Sequence, residues 1–366
     1  MDGYGHRYER IVGDLRAAIL AGRHRPGERI ESENELAARY QVSRQTVRKA
    51  LAALIEQGYL RAEHGRGTFV TERSLPGSKT IAVVTTYLAD YIFPRVIQGI
   101  DQELAEHGYS ILLKSTRNAR HLEARYLEEL ADKAIDGLII EPSKSQIFCR
   151  HAALYERFDA RGIPYVFIQG CFESMRDRPH VLLDDAGGAY LVTKHLLLLG
   201  HRRIAGIFKA DDTQGVERHR GYVRALQEAG VLYDPDIVLW YHTEDRTVAP
   251  AAGAAVLARR GKMEAVVCYN DEIAVSVIRA LEAEGLRVPE DISVTGYDNS
   301  LLAENFKMGL TTVSHPHEEL GRAAARLLLS LIAGERVETG VILQPEVIVR
   351  GSTAPRAEPS KVFRKI

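Results

Sequence analysis

From residue 79 onward, short runs of Val, Ile and Leu alternate with stretches of helical periodicity, and few folds accept that order. Strands are expected at 81–85, 109–113, 137–140, 164–168, 181–183, 203–208, 237–241, 265–269 and 293–297. Amphipathic helices are expected among them at 96–105, 122–134, 155–161, 189–199, 217–229, 251–258 and 273–284. Continuous aliphatic strands separated by helices make parallel sheets covered on both faces, so the expected class is α/β.

Sheets of this kind bind ligands just beyond the carboxyl ends of their strands. Those ends carry Tyr87 with Asp90 and Tyr91, then Ser115-Thr116, Glu141, Gln169, Asp184-Asp185, Lys209 with Asp211-Asp212, Trp240-Tyr241, Asn270-Asp271 and Asp298. Carboxylates, amides, a lysine and aromatics along one rim suit a small polyol. Planar polar groups bond hydroxyls in pairs, and an aromatic face covers the C–H face of a sugar ring. Each residue alone has a plainer reading, because such loops are polar anyway and Asp or Asn often only caps a helix. The ensemble at one rim favours a site.

Residues 33–57, ENELAARYQVSRQTVRKALAALIEQ, have a different texture. Leu36, Ala37 and Tyr40 fall at helical spacing, and Val47, Leu51, Leu54 and Ile55 repeat on one face of a second helix. Ser43 stands where an N-cap belongs. Arg44, Gln45, Arg48 and Lys49 lie on the exposed face of the first turns. Long donors at a helix N-terminus suit the major groove, where Arg reads guanine and Gln reads adenine. The competing reading is an ordinary amphipathic pair with a basic face. The next segment weakens it, because 61–70, RAEHGRGTFV, reads as a β-hairpin with Gly65-Arg66-Gly67 at its tip. A hairpin directly after a recognition helix is a wing. A preceding helix carries Tyr8, Ile11, Leu15, Ala18 and Ile19 on one face.

The segment PGERIESENELAARYQVSRQTVRKALAALIEQGYLRAEHGRGTFV resembles the winged helix-turn-helix of the GntR family of bacterial regulators over almost its whole length. One departure is visible: Ile30-Glu31-Ser32 lacks a proline that many members carry before the serine. The resemblance implies that Asn34, Arg44, Gln45, Thr46, Arg48, His64, Gly65 and Arg66 occupy DNA-contacting positions. Ser43, Lys49 and Gly67 complete the expected surface.

Residues from 79 to about 350 resemble the effector domain shared by lactose- and ribose-type repressors and periplasmic sugar-binding proteins. The carrying segments are Leu183-Asp184-Asp185, HLLLLGHRRIAGI, ERHRGY, YNDEIA, VPEDISVTGYDNS and LTTVSHP. The resemblance implies two α/β lobes joined by three crossovers, with the ligand between them. One lobe would run over 80–168 with a return near 298–313, and the other over 170–297 plus the tail. Arg218, Asn270 and Asp298 match positions that bond sugar hydroxyls in that family. TTYLADYIFP and FKADDTQGV, the latter supplying Lys209, Asp212 and Gln214, resemble the arabinose-responsive branch of such repressors. L-arabinose as effector is implied by that resemblance alone; the residues themselves say only a small polyol. His315, just after a crossover strand, is a further candidate for the cleft.

The domain plan expected is a winged helix-turn-helix at 1–70, a linker at 71–79, a two-lobed periplasmic-binding-protein-like domain at 80–352 and a flexible tail at 353–366. Lys and Arg outnumber Asp and Glu by 12 to 9 in residues 1–70, whereas the remainder is acidic by 40 to 36. That polarity suits a head that alone meets DNA. The three cysteines are scattered and read as reduced core thiols, without zinc spacing. The chain lacks an apolar stretch of membrane-spanning length and a signal-peptide core, so a cytoplasmic location is expected.

The expected function is repression of carbohydrate-catabolism genes by a homodimer on operator DNA, with no cofactor and no metal. A helix near 320–333 is a candidate dimer surface. A carbohydrate-active enzyme is the rival. Asp184 with Asp185, or Asp211 with Asp212, would be its carboxylate pair, yet sequence neighbours usually point apart. No nucleophile elbow, phosphate loop or metal-ligand spacing accompanies them.

Overall fold

The computed structural model describes residues 3–20, 23–25, 27–56, 58–63, 66–71, 78–88, 91–245 and 248–356. His64, Gly65 and Asp90, most of the expected linker and the end of the expected tail lie outside them.

The head is three helices and a hairpin: α1 (Gly3–Leu20), α2 (Glu33–Tyr40), α3 (Arg44–Glu56), β1 (Leu60–Glu63) and β2 (Gly67–Val70). Its core joins Ile11 and Leu15 of α1 to Leu36, Val47, Leu51 and Leu54. Ser32 starts α2 with a capping box: its hydroxyl accepts from Glu35 N, and the Glu35 carboxylate reaches back to Ser32 N at 2.7 Å. Residues 28–30 run beside β2 and add an isolated antiparallel bridge, Arg29 to Phe69, to the two-stranded wing; Ile30 N donates to Thr68 O at 3.0 Å.

The first lobe contains β3 (Thr80–Thr85), α4 (Phe93–Glu106), β4 (Ser110–Ser115), α5 (Arg120–Ala131), β5 (Gly137–Ile140), α6 (Ala152–Arg161), β6 (Tyr165–Ile168) and β7 (His180–Leu183). The second contains α7 (Asp185–Leu198), β8 (Ile204–Lys209), α8 (Thr213–Glu228), β9 (Val238–Tyr241), α9 (Val248–Arg259), β10 (Ala265–Cys268), α10 (Asp271–Ala283), β11 (Ser293–Thr295) and α11 (Leu301–Asn305). The chain then passes through β12 (Thr312–Val313), α12 (His317–Ile332), β13 (Gly340–Leu343) and β14 (Val347–Ile348).

The first-lobe sheet is parallel in the order β13-β7-β6-β5-β3-β4, and the second is parallel in the order β11-β10-β8-β9. Both are covered on two faces, as the aliphatic strands require. In the second lobe Val192, Leu196 and Tyr222 cover one face, and Ala254, Val277 and Leu281 the other.

The return to the first lobe differs from expectation. Residues 301–313 stay with the second lobe, where Ala303 and Leu310 join Ile292 and Val294. It is α12 and β13 that return. Leu320, Ala324 and Leu328 pack against Ile81, Val83 and Ile139, and β13 pairs with β7. Two glycines set how closely α12 approaches α4: a Cβ on Gly99 would meet Glu318 O at 2.1 Å, and one on Gly321 would meet Val96 O at 2.2 Å. The apolar face of α12 is therefore spent inside the lobe, and the helix leaves only its charged face, with Glu319 and Arg326, exposed.

The first residues of the expected tail are bonded to the second lobe. Ser293 Oγ accepts from Ala354 N at 3.2 Å, His201 Nε2 lies 3.0 Å from Ala354 O, and Arg356 pairs with Glu264 at 2.8 Å. Residues 353–356 thus belong to the second lobe.

Candidate effector cavity and DNA-binding surface

A cavity of about 440 Å³ lies between the lobes. The first lobe lines it with Thr86, Tyr87, Tyr91, Ile92, Phe93, Asn118, Glu141 and Gln169. The second contributes Lys209, Asp212, Gln214, Arg218, Tyr241, Thr243, Tyr269, Asn270, Glu272, Ile273 and Asp298. Most of these residues come from strand ends and the connections and first turns after them, as open parallel sheets dictate, and Arg218 comes from the second turn of α8.

Ten of the residues expected from the sequence are in this wall: Tyr87, Tyr91, Glu141, Gln169, Lys209, Asp212, Gln214, Arg218, Asn270 and Asp298. Asp90 is outside the described residues. Trp240 is a correction. It lies outside the lining, half exposed, with its ring 4.8 Å from His219 and 5.8 Å from Phe208. Successive strand residues face opposite ways, so it is Tyr241 that lines the cavity. His315 stands one bond behind the wall, its Nε2 2.9 Å from Gln169 Oε1. Burial, with His317 stacked against it, pushes its pKa well down and keeps the ring neutral. Asn118, Thr243 and Glu272 were not singled out in the sequence. Each lies in a strand-to-helix connection or a first helical turn, the signal that could have found them.

Arg218 is the buried centre of the far wall. Its Nε lies 2.8 Å from Asp185 Oδ1, its Nη2 3.2 Å from Asp298 Oδ1, and its Nη1 donates to Tyr269 O at 2.6 Å. The rings of Tyr297 and Tyr269 flank the guanidinium at 3.6 and 4.7 Å. Burial raises the Asp185 pKa to about 6 despite Arg218. Lys209 Nζ is 2.5 Å from Asp212 Oδ2; burial opposes its charge, but Asp212 and Asp211 outweigh that and hold its pKa above the ordinary range. Glu141 accepts from Thr86 N at 2.8 Å and Thr86 Oγ1 at 2.6 Å, yet burial still lifts its pKa to about 7. Asn270 spends its side-chain oxygen capping α10 through Ile273 N at 3.0 Å, which leaves its amide donors for the cavity.

The lobes also touch directly. Asn118 Nδ2 donates to Asp212 Oδ1 at 3.1 Å and to Thr243 Oγ1 at 2.8 Å. Ser145 Oγ accepts from Thr213 N at 2.9 Å, and Lys144 pairs with Glu244. The carboxylate pairs considered for an enzyme are occupied otherwise. Asp184 caps α7 through Gly187 N at 2.8 Å, Asp185 holds Arg218, and Asp211 and Asp212 both approach Lys209. Among the described residues no group of three His, Cys, Asp or Glu side chains could hold a metal ion. No helix there is long and apolar enough to cross a membrane.

On the head, Asn34, Ser43, Arg44, Gln45, Arg48 and Lys49 are exposed around the start of α3. Arg48 pairs with Glu33 at 2.9 Å and Arg44 with the same carboxylate at 3.4 Å, so one acid gathers two guanidiniums. Thr46 differs from the rest: it is buried, its hydroxyl is 2.9 Å from Ser43 Oγ, and its amide donates to that oxygen. It closes the helix start instead of presenting a side chain outward. At the wing, exposed Arg66 pairs with Glu63 at 2.6 Å. Gly67 has φ +122°, where a Cβ would also meet Arg29 Nε at 2.7 Å.

A winged head with a basic recognition surface, on two lobes that enclose a polar cavity, defines a ligand-controlled DNA-binding regulator. Residues 7–70 match the bacterial regulatory proteins of the gntR family, and residues 193–353 match the periplasmic binding protein-like domain. The chain is 40% identical over 355 residues to the arabinose metabolism transcriptional repressor of Geobacillus stearothermophilus, spanning 95% of this chain and 97% of that one. It is 39% identical to the corresponding repressor of Halalkalibacterium halodurans, spanning 95% and 96%. The structure resembles the transcriptional regulator CelR–cellobiose complex with a TM-score of 0.68 and 29% identity, covering 88% of this chain and 100% of that chain. The chain belongs to the family of arabinose metabolism transcriptional repressors. It is a sugar-responsive transcriptional repressor and not an enzyme: the two relatives spanning 95% of the chain are transcriptional repressors, and the similar solved structure is a transcriptional regulator.

Proposed function

We propose that the chain represses carbohydrate-catabolism genes in the cytoplasm as a homodimer on operator DNA, and that L-arabinose in the interlobe cavity releases it. The head spans 1–70, the linker 71–79 and the effector domain 80–352, to which the contacts of Ala354 and Arg356 add residues 353–356. One wing and one recognition helix read a half-site, so a two-fold partner is needed for a pseudo-palindrome. Asn34, Ser43, Arg44, Gln45, Arg48 and Lys49, with the wing tip His64, Gly65, Arg66 and Gly67, are the DNA-facing set. Thr46 contributes by fixing the helix start.

The observation that carries the reading is that both lobes line one cavity and bond across it. A ligand there touches the same side chains that hold the lobes together, such as Asn118 and Asp212. Its volume of about 440 Å³ is that of a small-molecule site. The arabinose named in two relatives, and the sugar ligands in similar regulators, support a sugar there. Differential binding of 1–3 kcal/mol is typical of such coupling, and about 5.5 kcal/mol reverses a 1:99 population. The test is binding of the full chain to promoter fragments of sugar-catabolism genes, with and without a panel of pentoses and hexoses. Release by L-arabinose is expected. DNA binding indifferent to every sugar would refute the effector assignment.

A further inference from the structure

The cations at the effector cavity are already engaged by carboxylates. Lys209 Nζ lies 2.5 Å from Asp212 and 3.9 Å from Asp211. Arg218 is divided between Asp185, Asp298 and the Tyr269 carbonyl, with tyrosine rings over its plane. Among the described residues no other cation lines the cavity, whereas the carboxylates of Glu141, Asp212, Glu272 and Asp298 all do. Burial pushes the Glu141 pKa up to about 7; even with that group protonated, the two cations face the carboxylates of Asp185, Asp211, Asp212 and Asp298. Behind Lys209, the buried Asp211 Oδ1 has no hydrogen-bond partner among the described residues and adds to the negative field.

We propose that the cavity is a charge filter: it admits uncharged sugars and rejects their phosphorylated or carboxylated derivatives, with the Lys209–Asp212 pair as the specificity-determining element. The inference rests on the sugar reading of the cavity given above. A buried anion needs a cation with free donors. Here it would have to evict Asp212, Asp185 or Asp298, none of which has another cationic partner among the described residues, and it would meet like charges at short range. An uncharged polyol leaves both ion pairs intact. Its hydroxyl protons go to carboxylate oxygens, and its oxygens accept from amides such as those of Asn270 and Gln214. Phosphorylation of the sugar therefore ends the signal, so the regulator reports the free sugar ahead of any phosphoryl transfer that consumes it.

The test is calorimetric titration of the full chain with uncharged sugars, each beside an anionic counterpart. L-arabinose is set against L-arabinose 1-phosphate, and D-galactose against D-galacturonate. The anionic member of a binding pair is expected at least ~100-fold weaker. Size alone could produce such a gap, so the near-isosteric Asp212→Asn variant is titrated in parallel. Freeing Lys209 should narrow the gap by about tenfold, whereas exclusion by size would leave it unmoved. Equal binding of both members, or a gap indifferent to Asp212→Asn, overturns the filter. If another uncharged sugar binds and L-arabinose does not, the effector assignment falls and the filter stands. If only an anionic sugar binds, the filter falls and the sugar site stands.

Discussion

The Tyr91 hydroxyl, carried by the first lobe, lies 2.8 Å from Asp298 Oδ2 in the second and also accepts from Asp271 N at 3.1 Å. One phenol thus joins a lining carboxylate to the start of α10. The Tyr91 backbone has φ +64°, a left-handed conformation that a bulky residue keeps only when its surroundings hold it there. Tyr91→Phe removes the bridge and should cost about 1–2 kcal/mol of stability. It should also raise the sugar concentration needed to release DNA. Thermal melts and release titrations check both; unchanged release would separate Tyr91 from lobe closure.

Arg218 neutralises two buried carboxylates. Arg218→Met should cost about 3–5 kcal/mol, because Asp185 and Asp298 are then left buried and unpaired. Adding Asp185→Asn should recover part of the loss. Urea unfolding of the single and double variants measures this, and simple additivity would contradict the pairing.

Glu141 gives a pH dependence of definite sign. Its native pKa of about 7 lies above the ordinary carboxyl value, so the native state holds a proton that the unfolded chain has released. Its contribution to stability therefore falls as pH rises from about 4.5 to 7. Glu141→Gln abolishes that dependence and should gain on the wild type across the same window. A stability difference that stays flat between pH 5 and pH 8 would contradict the assignment.

Arg48 stands exposed on α3 and, paired to Glu33, is part of no core. Arg48→Ala should weaken DNA binding and, if its partner is a phosphate, reduce the slope of log affinity against log salt by about 1. Sugar titrations of the same variant should be unchanged. A loss of sugar binding would mean that the head and the effector lobes are not separable.

Residues 353–356 tie His201, Ser293 and Glu264 together. Truncation after Ser352 should lower the melting temperature of the effector domain by several degrees, about 1–2 kcal/mol in lost hydrogen bonds. A melt unchanged by that truncation would return these residues to the status of a tail.

Much of the cavity could be read because strand ends in parallel sheets are the site by topology, and polar residues there stand out against aliphatic runs. Helix starts were harder. Periodicity suggested α7 from 189 and α8 from 217, but the structure starts them at Asp185 and Thr213. The first turns, DAGG and TQGV, are polar or small and carry no apolar stripe, yet they bring Asp185 and Gln214 to the site.

Local pattern in the sequence determined the winged head, the α/β alternation and the residue types at the rim, because each depends on spacing along the chain. Tertiary packing decided the rest. It sent α12 and β13 back to the first lobe, where Leu320 and Leu328 find a sheet face to cover. It turned Tyr241 inward and Trp240 out, and it set Lys209 against Asp212 and Arg218 between two acids. Those outcomes depend on which surfaces meet and which charges are buried together. No spacing in the sequence records either.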